Sequence, residues 1–178
     1  DDAHFSYISY RDRSGRELTS FCVQKLRLNP IHGGFSTFAR VVSEPSMEII
    51  GRRVLDQLEY RGAASVCFKR DSVSGEPHIF EVNGRIPLAH GAGQLVGIDL
   101  SWLIYGDALG LPREPVQTRR SNGHWLTLTY DIWAMRDYRR AGEIRLADWL
   151  RSLLKVRLVV EFDPRDPGPF GYFLWGLV

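Results

Sequence analysis

His78-Ile-Phe-Glu-Val-Asn-Gly-Arg85 is the stretch on which the fold turns. It reads as a short apolar strand that closes in a polar cluster. Side chains alternate along a strand, so Glu81 and Asn83 share one face. Phe80 and Val82 take the other face, where they are expected to anchor the strand in a core. A carboxylate and an amide oxygen then stand side by side, with the guanidinium of Arg85 just beyond. Magnesium takes oxygen ligands, commonly one or two carboxylates together with phosphate oxygens. Arg85 suits an anionic substrate or a moving phosphoryl group. The competing reading is a plain turn, because Asn-Gly is a strong hairpin signal. Against it, no alternating strand follows; Ile86-Pro87-Leu88 leads into small, helix-like residues.

Toward the N-terminus, a turn at 70–77 joins this strand to a preceding one at 63–69. There Val66 and Phe68 share one face and Ser65, Cys67 and Lys69 the other. Cys67 can lie beside Glu81, but the sequence leaves the register open. Met47, Ile50, Val54 and Leu58 recur at helical spacing, with Leu55 beside them, after Ser43 as cap and Pro45 in the first turn. Gly62 is expected to end that helix. The loop 30–38 holds Gly33-Gly34, which permits close approach to a ligand, and Ser36 and Thr37, which offer hydroxyls. His32 reads as a loop hydrogen-bonding residue. Before it, 4–10 and 17–28 form a hairpin through a turn at 11–16. Lys25, Arg27 and Asn29 are expected on one face, and the plain reading of the two cations is a solvated edge.

Toward the C-terminus, a small-residue stretch at 87–96 ends at Gly97, and Asp99 caps a helix through Leu109. A polar connector follows, carrying Arg119-Arg120. Residues 125–132 alternate like a half-buried strand. Helices are expected at 133–140 and 145–155, a strand at 156–162, an Asp-Pro-rich loop at 163–169, and an apolar end at 170–178.

The composition limits the function classes. Of 178 residues, 44% are hydrophobic and 25% charged, which is typical of a globular chain. A net charge of +2 makes no case for nucleic acid. That rival would need Lys25, Arg27, Arg119 and Arg120 to act together. Two isolated cysteines form neither a disulfide framework nor a zinc motif, so a reducing, cytoplasmic setting is expected. No stretch is long and apolar enough to suggest a membrane span. The start lacks Met and a signal peptide, and its immediate strand-like residues suggest a fragment.

The run from Glu17 to Gly110 resembles the C-terminal subdomain of the ATP-grasp superfamily, especially its carboxylate–amine ligases. The ordered features are Val23-Gln-Lys-Leu-Arg27, Pro30 with Gly33-Gly34, the helix to Leu58, Tyr60-Arg-Gly62, Val66-Cys-Phe-Lys-Arg-Asp71, Phe80-Glu-Val-Asn-Gly-Arg85 and Leu95-Val-Gly-Ile-Asp-Leu100. The resemblance implies an α+β fold, a mostly antiparallel sheet with helices packed on one face, over 1–110. A connector at 111–124 and a small α/β appendage at 125–178 would follow. It implies ATP and magnesium as cofactors, with Glu81 and Asn83 as metal ligands. Lys25 and Arg27 would lie near the phosphates, and Arg85 and Lys25 would be catalytic. The partners would be a small-molecule carboxylate and an amine, with self-association left open. Gly84 stands where the family commonly has Pro. Cys67 stands where it normally has another acidic ligand, and thiols suit magnesium poorly. Asp71 is the residue that might replace that carboxylate. The family's other ATP-clamping subdomain would precede Asp1. The alternative is a degenerate, non-catalytic scaffold.

Overall fold

The computed structural model describes residues 3–116, 118–119 and 123–175, and the side chains of Phe173 and Leu174 are outside that description. β1 (His4–Arg11) and β2 (Glu17–Asn29) form a hairpin. β3 (Phe35–Val42) pairs with β2, and β4 (Gly62–Arg70) with β1. β5 (Pro77–Asn83) returns against β4 as an edge strand. β6 (His124–Leu126) joins β3 antiparallel, and β7 (Val156–Val159) lies parallel to β6. The result is an α+β chain with one seven-stranded, mostly antiparallel sheet, in the order β5-β4-β1-β2-β3-β6-β7. β6 and β7 come from the stretch expected as an appendage, and they extend this same sheet.

Alternation sorts the two faces. Ile8, Tyr10, Phe21, Val23 and Ala39 pack with Trp125, with a 3₁₀ segment (Leu88–Val96) and with α2 (Leu100–Ala108). Phe5, Tyr7, Cys22, Val66 and Phe68 pack under α1 (Pro45–Gln57). Helix α1 sits close because Gly51 lies over Tyr7: a Cβ there would fall 2.4 Å from the ring. Its buried stripe is Met47, Gly51 and Leu55, so Leu58, read as part of the stripe, is exposed at the C-cap. Glu44, not Ser43, is the N-cap, and Gly62 opens β4 instead of ending the helix. Asp99 does cap α2, accepting from the Trp102 N–H at 2.9 Å.

Two sequence expectations fail for a physical reason. Residues 125–132 are not one strand: β6 stops at Leu126 and α3 (Leu128–Arg140) begins, leading to α4 (Leu146–Leu153). The alternation was mistaken because Asp131, polar and apparently outward, is fully buried under α4. Phe80 and Val82 do not anchor β5 in a core. Both are exposed on an edge strand, and Phe80 meets the His4 ring edge-on. The apolar end contains α5 (Gly168–Trp175), with Tyr172 and Trp175 exposed. Among the described residues no helix is long and apolar enough to cross a membrane.

Candidate functional site

The β4–β5 register sets Cys67 opposite Glu81 and Ser65 opposite Asn83. Residues paired across two strands share a face, so all four point toward the 3₁₀ segment. β1 adds Ser6, paired with Cys67. β2 adds Lys25, which follows Val23 on the same face. These side chains line a cavity of about 250 Å³ together with Arg85, Gly33, Gly34 and Ser36.

The Cys67 sulfur is the meeting point. Ser6 Oγ lies 3.2 Å from it, Lys25 Nζ donates at 3.7 Å, and Asn83 Nδ2 donates at 3.9 Å. Lys25, Glu81 and Arg85 form no ion pair among the described residues; Arg85 only touches the Ile86 carbonyl, at 3.4 Å. The charge is felt nearby. Burial, then the Lys69 and Lys25 ammonium groups, hold the His4 pKa below its ordinary value.

Arg27 does not join this group. A bulge between Lys25 and Arg27 breaks the alternation, so Lys25 pairs with Ala39 and Arg27 with Phe38. Neighbours on β3 face opposite ways, and Arg27 is thereby turned to the other side of the sheet. There it is buried, stacked 4.0 Å over Phe38, and forked onto Asp131 through Nε at 2.8 Å and Nη2 at 2.7 Å. Thr37 and the Trp149 indole N–H also donate to Asp131, each at 2.8 Å.

The remaining expected residues have structural employment. Asp71 accepts from the Val73 and Ser74 N–H groups at 2.9 and 2.7 Å, so it fastens the β4–β5 turn and does not reach the cavity. Those bonds hold its carboxyl below the usual range. His32 pairs with Glu143 at 3.0 Å. Gly34 is needed by its own loop, since a Cβ would sit 2.1 Å from the Asn29 carbonyl. Gly84 faces the Tyr60 ring, whose hydroxyl would be 3.1 Å from a Cβ. Arg119 lies against Gly97, and Arg120 is outside the described residues. With Arg27 buried, the four cations make no common basic surface among the described residues.

Glu81 and Asn83 fit a magnesium ion that arrives on phosphates: one carboxylate and one amide on a shared face, open to solvent. They do not make an all-protein cage, and no cluster of three or more metal-ligating side chains exists among the described residues. Cys67, opposite Glu81, contributes no hard ligand.

No family model matches the sequence, and neither does any curated protein. Solved structures do match. A pyruvate carboxylase from Rhizobium etli, with acetyl coenzyme A, shares 21% identity at TM-score 0.57, covering 68% of this chain and 12% of its own. The ATPase subunit of phosphoribosylaminoimidazole carboxylase from Aquifex aeolicus shares 16% at 0.53, covering 66% and 38%. A biotin carboxylase–β-γ-ATP complex from Campylobacter jejuni shares 16% at 0.53, covering 68% and 28%. Over about two thirds of its length the chain shares the fold of a segment of these proteins. It spans well under half the length of these proteins.

Proposed function

We propose that this chain supplies one wall of an ATP-grasp ligase site that activates a small carboxylate for attack by an amine. One observation carries the reading: Lys25, Glu81 and Arg85, three charged side chains without ion-pair partners among the described residues, converge on one cavity on the sheet. Charges left uncompensated in a cleft are better explained by a ligand than by stability. At about 250 Å³ the cavity falls just below the ~300–1,000 Å³ usual for whole small-molecule sites. It suits the phosphate end of a nucleotide, and another surface would hold the base.

In this reading ATP phosphorylates the carboxylate, and the amine then displaces phosphate. Lys25 and Arg85 place positive charge beside the oxygens of the moving group, which is electrostatic work. Glu81 and Asn83 would hold magnesium, which supplies further charge neutralisation when bound. Free Cys22 and Cys67 suit a cytoplasmic setting.

Cys67 favours a second reading, a non-catalytic scaffold that has lost a metal-binding acid. Thermal denaturation with and without Mg-ATP separates them. A ligand at a hundredfold excess over Kd stabilises by about 2.7 kcal/mol, so the melting temperature of the chain should rise and that of Glu81→Ala should not. No rise in the parent chain favours the scaffold.

A further inference from the structure

β3 stops at Val42, opposite Cys22, while β2 runs back to Glu17. Beyond that stop, the Val116 N–H donates to the Leu18 carbonyl at 2.8 Å and the Arg119 N–H to the Val96 carbonyl at 2.9 Å. A recess of about 580 Å³ remains beside the end of β3, and it shares no lining residue with the Lys25 cavity. Its volume falls within the ~300–1,000 Å³ usual for small-molecule sites. Phe21, Val41, Val42 and Val96 supply apolar wall, and Glu48 and Arg119 supply opposite charges.

Those two charges do not pair with each other. Glu48 accepts the Glu44 N–H at 3.3 Å and forms no ion pair among the described residues; the Arg119 guanidinium forms none either. Both are nevertheless held in place. Glu48 stands in the first turn of α1. Burial, then the Glu48 and Glu44 carboxylates, push the Cys22 thiol pKa up, and Cys22 lines the same recess. Arg119 lies across Gly97, its Cδ and Nε each 3.5 Å from where a Cβ would stand. An acid and a guanidinium, kept apart in one recess with apolar wall beside them, complement a molecule that carries both charges on an apolar body.

We propose that this recess is a second ligand site, which takes a free amino acid with an apolar side chain. The ligand ammonium pairs with Glu48, its carboxylate takes the Arg119 fork, and its side chain covers Phe21 and the valines. The two cavities are separate, so the proposal does not depend on the ligase reading.

Calorimetric titration of the full chain with leucine tests it, beside leucinamide and N-acetylleucine, which each lack one of the two charges. Leucine should bind about tenfold or more tighter than either derivative, since each loses one charged hydrogen-bonded contact. Glu48→Gln, which keeps an oxygen for the Glu44 N–H, should weaken leucine about tenfold and leave the weaker binding of N-acetylleucine unchanged. Arg119→Gln should weaken leucine by a similar factor and leave leucinamide unchanged. Lys25→Met, in the other cavity, should bind leucine as the parent does. No leucine binding by the parent overturns the proposal, as does leucine bound no more tightly than both derivatives. So does leucine affinity kept in both recess variants or lost in Lys25→Met. The three ligands are compared on the parent chain, so that result stands whether or not a variant folds.

Discussion

Lys25 and Arg27 are two residues apart on β2, and the structure uses them in opposite ways. Arg27 is buried with its charge matched: Asp131 takes its fork, and Ser152 accepts from Nη1 at 2.9 Å. Lys25 lines an open cavity, which Glu81 also lines, and forms no ion pair among the described residues. One bulge separates the two fates. A satisfied network holds a fold together and has nothing left to offer a ligand. An unsatisfied one adds little stability and keeps its donors available. On the proposed reading, the contrast separates the polar cluster that is scaffold from the one that is site.

The largest effect should come from breaking the satisfied side. Asp131→Ala strands a buried guanidinium and should cost about 3–5 kcal/mol in urea denaturation. Replacing both partners, Arg27→Met with Asp131→Leu, should recover much of that loss. A cost under about 1 kcal/mol for Asp131→Ala would place the network outside the stabilising core. Next comes the loop that carries the cavity rim. Gly34→Ala forces a Cβ against the Asn29–Pro30 backbone and should cost about 1–3 kcal/mol, while Gly33→Ala, in open space, should be close to neutral. Equal effects at the two glycines would contradict the packing described.

A pH measurement sharpens the Lys25 side. The folded pKa of His4 lies below 6.5, so its contribution to stability is complete above pH 6.5 and is lost as pH falls from there toward the lowered folded value. The groups acting on it are Lys69, Lys25, the N-terminus and His32. Lys25→Met removes one of these cations, so the His4 pKa read by NMR should rise toward 6.5. A fall, or no change, would mean that Lys25 does not face His4. The smallest effect is expected at the exposed carboxylate: Glu81→Gln should alter stability by no more than about 0.5 kcal/mol, since nothing in the fold depends on it.

Much of this was legible in the sequence. The hairpins followed from alternation and turn residues, and the facing of Cys67 and Glu81 followed once the strands were paired. Asp99 as a cap and Gly97 as a stop were equally plain. What escaped were features decided by tertiary contact. The bulge at 25–27 has no Gly or Pro to announce it, so Lys25 and Arg27 looked equivalent. Asp131 alternates with apolar neighbours and reads as solvent-facing, yet it is the buried anchor of Arg27, Thr37 and Trp149. Ser36 and Thr37 both offered loop hydroxyls; only the structure assigns one to the cavity and the other to the anchor. Phe80 and Val82 looked like core because sequence does not reveal that β5 is an edge.

Amide NMR of the chain during addition of Mg-ATP tests the central claim most directly. Signals of Gly34, Ser36, Cys67, Asn83 and Arg85 should shift together, while those of Asp131 and Trp149 stay in place. Shifts that leave the first group untouched, or that center on the Asp131 network, would show that the unpaired charges around Cys67 are not where the nucleotide phosphates bind.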